Sequence, residues 1–106
     1  MDTQKISLWR PHGRKGPTVP KKEYNRIANE IVSEIKSNKD CEIDLGHLID
    51  QIRTTLSQGF NGDIAWYFLN VKQDLEERGI IKTTINRDRV QIIRLNTKVS
   101  RQNSKV

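Results

Sequence analysis

Two apolar stripes with the spacing of an α-helix constrain this chain more than any other feature of its sequence. Apolar side chains that recur at i, i+3, i+4, i+7 and i+11 lie on one face of a helix and need a partner surface to cover them. The first stripe consists of Tyr24, Ile27, Ala28, Ile31 and Ile35, and the second of Leu45, Leu48, Ile49, Ile52 and Leu56. The centre of the chain is therefore predicted to hold two helices that share a core.

A third helix is predicted from about residue 63 to residue 78. Its stripe consists of Ile64, Phe68, Val71 and Leu75. Gly79 follows directly, and glycine readily adopts the left-handed backbone conformation that commonly ends a helix. Asp44 stands where the second helix should begin, and aspartate is among the preferred N-cap residues.

Short β-prone runs surround the helices. Residues 80–85 and 90–95 are rich in β-branched side chains, and the polar turn 86–89 separates them, so they are predicted to form a hairpin with a basic tip. Residues 41–43 are a candidate for a brief strand before the second helix. Residues 6–10 could form an edge strand or a packed arm, closed by Pro11.

The chain ends are predicted to be less ordered than its centre. Residues 12–19 contain two glycines and a proline and are interpreted as an exposed loop. With 106 residues there is room for one domain. The predicted organisation is a basic N-terminal arm with a possible strand over 1–20, a folded domain over 21–95 and a disordered basic tail over 96–106.

The order helix, short strand, helix, turn, helix, hairpin resembles that of winged-helix domains. The residues that carry the resemblance are Ile43 in the short strand, the second helix at 45–56, the junction Leu-Glu-Glu-Arg-Gly-Ile-Ile at 75–81 and the hairpin at 80–95. The whole chain is also similar to small uncharacterised bacterial winged-helix-like proteins. The resemblance implies an α+β fold: a three-helix winged helix-turn-helix core with a C-terminal β-hairpin wing and a possible extra N-terminal strand.

Charge is distributed unevenly along the chain, which has a net charge of +6. Residues 1–22 hold six basic residues and one acidic residue, and residues 82–106 hold seven basic residues and one acidic residue. The centre, residues 23–81, holds six basic and eleven acidic residues. Basic segments on both sides of a folded centre are typical of contact with a nucleic-acid backbone, and also of solvated chain ends. Both interpretations stay open at this stage.

The favoured hypothesis is non-enzymatic binding of double-stranded DNA, as in a transcriptional regulator. The resemblance implies that the third helix enters the major groove and that the wing contacts the backbone. Asn70 and Gln73 point away from the apolar stripe and could bind adenine, while Trp66 could cover a sugar or a thymine methyl group. The predicted phosphate contacts are Arg14, Lys15, Lys21, Arg87, Arg89 and Arg94.

An alternative hypothesis is a protein-interaction module that uses Trp66, Tyr67 and Leu69 as an apolar patch. It is favoured by the third helix, whose residues 63–78 hold four acids and two basic groups. For Trp66 itself, the favoured interpretation is that it packs on Trp9 or on the second helix, because a large apolar ring is seldom left exposed. Three of the acids, Asp74, Glu76 and Glu77, lie at the C-terminal end, whereas recognition helices tend to contact bases with their N-terminal half.

Several classes of function have no support in the sequence. No nucleotide-binding, hydrolase or metalloprotease motif is present, and with Cys41 as the only cysteine there is no internal disulfide or CxxC metal site. We therefore expect no cofactor, no metal and no catalysis. The sequence has neither an apolar run long enough for a membrane helix nor a secretory signal, so a cytoplasmic location is predicted. The oligomeric state is not predicted.

Overall fold

Three helices form the centre of the fold where their apolar stripes predict them. The structure is a computed structural model that describes residues 4–96. Helix α1 spans Lys21–Ser37, α2 spans Leu45–Leu56 and α3 spans Ile64–Glu77. The helical side chains buried in their common core are Tyr24, Ile27, Ile31, Ile35, Leu48, Ile52, Leu56, Tyr67, Phe68, Val71 and Leu75.

The helix ends follow from local chemistry. The Asp44 carboxylate accepts a hydrogen bond from the backbone N–H of His47 at 3.0 Å, which confirms the predicted N-cap of α2. Asp63 caps α3 in the same way and accepts from the Trp66 N–H at 3.2 Å. Gly79 has a φ of +78°, so the left-handed residue predicted after α3 is also confirmed.

Three antiparallel strands complete the C-terminal half. Strand β3 spans Glu42–Asp44, β4 spans Ile81–Ile85 and β5 spans Gln91–Leu95, and their order in the sheet is β3-β5-β4. Ile43, Ile81 and Ile93 are buried and attach this sheet to the helical core. The predicted α+β arrangement of three helices and a C-terminal hairpin is thus confirmed.

A second hairpin precedes the helices. Strand β1 spans Lys5–Trp9, β2 spans Lys15–Pro20, and a single turn of 3₁₀ helix, Pro11–Gly13, lies between them. The predicted N-terminal strand is confirmed, but the exposed loop predicted for residues 12–19 is wrong from Lys15 onward. A two-stranded hairpin has only edge strands, where proline costs few ladder hydrogen bonds, so the turn-like composition of β2 did not prevent pairing.

The N-terminal hairpin, residues 5–20, packs against α1 and α3. Leu8 has no solvent-exposed surface and Val19 is 3% exposed, and both belong to the same apolar core as the helices. Packing therefore has no break at residue 20, where the sequence predicted the end of an arm. The predicted disordered tail lies, from residue 97 onward, outside the described residues.

Candidate nucleic-acid interface

The outer face of α3, the side turned away from the core, consists of Trp66, Leu69, Asn70, Gln73 and Glu77. Trp66 and Leu69 are 41% and 56% exposed, and Glu77 is exposed as well. Asn70 and Gln73 are only partly exposed because the N-terminal hairpin reaches over this side of the helix. The face is thus open at its centre and covered at one edge.

Arg10, at the end of β1, covers that edge. Its Nη1 donates a hydrogen bond to Oε1 of Gln73, and its Nη2 donates to Oδ1 of Asn70. The Asn70 amide nitrogen donates to the carbonyl oxygen of Trp66 at 2.8 Å. The two residues predicted to contact adenine therefore already have partners within the protein. Nothing in the sequence indicated Arg10, because its partners are 60 and 63 residues away.

Gly16 leaves room for the Arg10 side chain. A Cβ atom at position 16 would lie 2.8 Å from Nε of Arg10 and 3.0 Å from the carbonyl oxygen of Leu8. The first distance is shorter than side-chain carbons tolerate and the second is tight, so a larger residue would displace the Arg10 side chain. Gly16, on the opposite strand of the hairpin, thus allows the Arg10 side chain to take the position that it has.

A basic cleft of about 410 Å³ lies at the turn of the N-terminal hairpin. Its lining residues are Arg10, Pro11, His12, Arg14 and Lys15. Within residues 4–96, neither Arg14 nor Lys15 forms an ion pair. Two of the predicted phosphate contacts are therefore brought together here, beside the covered edge of α3.

Asp74 anchors the N-terminal hairpin to α3 from within the core. The side chain has no exposed surface. One carboxylate oxygen accepts from the backbone N–H of Trp9 at 2.7 Å, and the other accepts from the Tyr24 hydroxyl and from Nε of Arg78 at 2.8 Å. Asp74 therefore joins β1, α1 and α3, and it does not add negative charge to the outer face.

Tyr24 and Arg78 complete this buried cluster. Burial, followed by the hydrogen bond to the Asp74 carboxylate, raises the pKa of the Tyr24 phenol well above its ordinary value. The Arg78 guanidinium lies 4.7 Å from the centre of the Trp9 ring, which is a cation–π distance. An aspartate and an arginine four residues apart on a helix can pair, but that spacing does not show that the aspartate is buried.

The opposite edge of α3 meets the C-terminal hairpin, residues 81–95. The Glu76 carboxylate accepts from Nζ of Lys72 at 3.0 Å and from the hydroxyl of Thr83 on β4. Of the four acids in and around α3, Asp74 and Glu76 are thus paired with cations. These pairs use both cations of the helix, so residues 63–78 keep a net charge of −2, which lies on the exposed acids Asp63 at the N-terminus and Glu77 on the outer face.

The turn of the C-terminal hairpin carries two exposed arginines. Oδ1 of Asn86 accepts from the backbone N–H groups of Asp88 and Val90 at 2.9 and 3.0 Å, which fixes the turn. Arg87 and Arg89 project from it without an ion pair to any described residue. Arg89 has a φ of +64°, a left-handed conformation that arginine adopts rarely.

Two predicted phosphate contacts lie elsewhere. Arg94 is at the base of the C-terminal hairpin and forms an ion pair with Glu42 at 2.8 Å. Lys21 is at the open end of the N-terminal hairpin, since Lys5 pairs with Pro20 there, and it lines a separate depression with Lys5 and Lys22. The structure therefore does not bring Arg94 or Lys21 together with the two basic turns.

The apolar patch of the alternative hypothesis is smaller than predicted. Tyr67 is 9% exposed, and its ring packs edge-on against Trp66 and Phe60 at 5.2 and 5.1 Å between ring centres. Burial, and secondly the negative charge of Glu23, raises the pKa of the Tyr67 phenol. Trp66 packs on Tyr67, not on Trp9, so the exposed patch consists of Trp66 and Leu69.

Two features are absent from the part of the chain that the structure describes. Among residues 4–96, no group of three histidine, cysteine, aspartate or glutamate side chains is placed to hold a metal ion. The same part of the chain has no helix with the length and apolar character needed to cross a bilayer.

The fold and surface define an α+β protein in which one exposed helix lies between two hairpins with basic turns. The model of a family of unknown function, DUF6958, matches residues 5–92, and the chain belongs to this family. The match runs from β1 into β5, so it includes the N-terminal hairpin as well as all three helices. None of the curated proteins and none of the solved structures matches the chain.

Proposed function

We propose that this protein binds double-stranded DNA, with the outer face of α3 in the major groove and a basic hairpin turn on each side. The observation that carries the proposal is the position of α3 between the two hairpins. Arg10 holds one edge of the helix through Asn70 and Gln73, and Thr83 meets the other edge at Glu76. A helix held this way has a basic hairpin turn on each side, and each turn can contact the DNA backbone next to the groove.

The charges around α3 support this orientation. Arg14 and Lys15 on one side and Arg87 and Arg89 on the other are exposed and without ion pairs among the described residues. Phosphate contacts of this kind supply most of the non-specific affinity for DNA. Asp74 is buried and Glu76 is paired with Lys72, so the acids that α3 presents to phosphates are Asp63 at its N-terminus and Glu77 near its C-terminus.

The order of the elements supports assignment to the winged helix-turn-helix class. The sheet order β3-β5-β4 places the short strand before α2 beside the second strand of the C-terminal hairpin. We include in the proposal that the protein is a cytoplasmic, non-enzymatic binding protein, in the manner of a transcriptional regulator. On this proposal the C-terminal hairpin is the wing, and the N-terminal hairpin acts as a second wing.

A salt series with random duplex DNA tests the proposal. We expect measurable affinity at about 50 mM salt and a slope of the logarithm of affinity of about −0.9 per phosphate contacted. The variant R14A/K15A should lose about two units of that slope. The matched control K21A/K22A removes the same charge at the open end of the same hairpin and should lose much less. Absence of binding at about 50 mM salt would reject DNA as the partner.

A protein partner is the second candidate, and one observation favours it. Trp66 and Leu69 are neighbours on the outer face, one helical turn apart, and large exposed side chains of this kind are enriched at protein interfaces. On this alternative, the wild-type protein shows no duplex affinity at any salt concentration. The same salt series therefore separates the two candidates.

A further inference from the structure

Arg10 carries an uncompensated positive charge at the edge of the outer face of α3. Its two side-chain acceptors, Oε1 of Gln73 and Oδ1 of Asn70, are neutral carboxamide oxygens. Within residues 4–96 no carboxylate forms an ion pair with it. The guanidinium is therefore held in place without being neutralised, and it lines the open basic cleft.

The same contacts give both polar atoms of the Asn70 side chain a partner within the protein. A carboxamide that binds adenine uses its oxygen and its nitrogen together. The oxygen of Asn70 accepts from Arg10 and its nitrogen donates to the Trp66 carbonyl, so both atoms are engaged. Gln73 likewise has its oxygen engaged by Arg10. Both residues serve to position the arginine.

We infer that Arg10 is the residue that contacts bases, and that it selects guanine. The inference rests on the proposed binding of DNA. Arginine donates two parallel N–H groups to O6 and N7 of guanine, the base that offers two acceptors in the major groove. A guanidinium has five N–H groups, and two are used on Asn70 and Gln73, so three are not used by these contacts: one on Nε and one on each terminal nitrogen. Fixing the side chain beforehand lowers the ordering cost of binding.

Gly16 provides independent support for this positioning. A side chain there would collide with Nε of Arg10, so the arginine has a dedicated space in the hairpin. Two residues of α3 and one residue of β2 thus fix one side chain. An arginine that served only as a mobile phosphate contact would need none of these three.

The first test uses a pool of random duplexes, with the bound fraction read by sequencing. The wild-type protein should enrich sites that share a guanine at one position. R10K keeps the charge but lacks the two-pronged donor, so it should lose more affinity for the enriched sites than for unrelated duplexes. The guanine preference should fall by roughly tenfold or more, the order expected for one lost bidentate contact.

A second variant guards against simple loss of folding. Q73E keeps the contact with Arg10 and strengthens it, so the melting temperature should not fall, yet the two oxygens of the carboxylate can take both N–H groups of one guanidinium edge and so compete with guanine for them. The guanine preference should be lost as in R10K. The control Q51E introduces the same charge at an exposed position of α2, and it should retain the preference.

The outcomes separate the inference from the proposed function. Retention of the guanine preference in both R10K and Q73E would overturn the inference while DNA binding stands. Duplex binding by the wild-type protein without enrichment of any site would do the same. Failure of the wild-type protein to bind duplex DNA would reject both together.

Discussion

The two hairpins that flank α3 are alike in outline and differ in how they are attached. The C-terminal hairpin follows α3 directly, pairs with β3 in a three-stranded sheet and buries Ile81 and Ile93. The N-terminal hairpin pairs only with itself, and its polar anchor is the buried carboxylate of Asp74, sixty-five residues from Trp9. One hairpin is held by backbone pairing and apolar packing, and the other by packing and a buried polar cluster.

This difference makes the N-terminal hairpin the more easily perturbed of the two. A buried carboxylate is stabilised only while its donors are in place, because removing one partner leaves the others unsatisfied. Sheet pairing is distributed over many hydrogen bonds and loses little when one side chain changes. Substitutions in the polar cluster should therefore loosen the hairpin that carries Arg10 and leave the C-terminal hairpin intact.

The largest effect is expected from D74A. It leaves the Trp9 N–H, the Tyr24 hydroxyl and the Arg78 guanidinium without their acceptor. Breaking a buried ion pair costs about 3–5 kcal/mol, and the lower end applies because the Arg78 side chain is 27% exposed. Urea denaturation measures the loss, and amide exchange should show the Trp9 N–H unprotected while β4 and β5 keep their protection.

The control for this prediction is D88A. Asp88 is exposed in the turn of the C-terminal hairpin, so its loss should change stability by less than about 0.5 kcal/mol. If D74A lowered protection equally in both hairpins, the two attachments would be one cooperative unit, and the comparison drawn above would be wrong.

A smaller effect, with a pH dependence, is expected from Y24F. At pH 7 the variant loses one hydrogen bond to the Asp74 carboxylate, and hydrogen bonds to charged groups are worth about 1.5–3 kcal/mol. Above about pH 10 the unfolded tyrosine releases its proton, whereas the raised pKa keeps the folded Tyr24 protonated. The unfolded state then binds fewer protons, so wild-type stability falls as pH rises, at up to about 1.4 kcal/mol per pH unit from this residue.

Y24F lacks this titration, so its stability should decline less steeply than that of the wild type. Denaturation curves between about pH 9 and pH 11 give the two slopes. Tyr67 also has a raised pKa and is present in both proteins, so the difference between the slopes isolates Tyr24. Equal slopes would mean that Tyr24 ionises as readily in the folded protein as in the unfolded chain.

The sequence predicted the parts of the fold that rest on local patterns. Apolar periodicity gave the three helices, and Asp44 and Gly79 gave two of their ends, because caps are decided by single residues and their neighbours. Strand β2 was missed because two prolines and a glycine within six residues are typical of a loop. Its pairing with β1 depends on Leu8 and Val19 entering a core that the later helices create.

The candidate interface was predictable in its charges and not in its contacts. Arg14, Lys15, Arg87 and Arg89 are exposed as expected, because solvation of a charged turn is a local matter. The helical period correctly placed Asn70 and Gln73 away from the apolar stripe. It could not show that Arg10 would donate hydrogen bonds to both side chains, nor that Asp74 would be buried, because these contacts join segments far apart in the chain.

The smallest effect concerns the turn of the C-terminal hairpin, where R89G and R87G form a matched pair. Arg89 has a φ of +64°, a conformation that costs a residue with a side chain about 1 kcal/mol and costs glycine little. A substitution to glycine also lowers the free energy of unfolding by about 0.5–1 kcal/mol, because glycine has more freedom in the unfolded chain. In R89G the relief of backbone strain nearly cancels this loss. In R87G no strain is relieved, so R87G should melt at a lower temperature than R89G.

Their effects on DNA binding should run differently from their effects on stability. Each variant removes one positive charge from the same turn, and each should reduce the salt slope by about one if both arginines contact phosphates. A reduction confined to R89G would mean that the left-handed backbone aims this one side chain at the duplex while Arg87 stays solvated. A slope unchanged in both variants would mean that the wing does not touch the backbone, and the N-terminal hairpin would then be the only basic flank of α3 engaged with DNA.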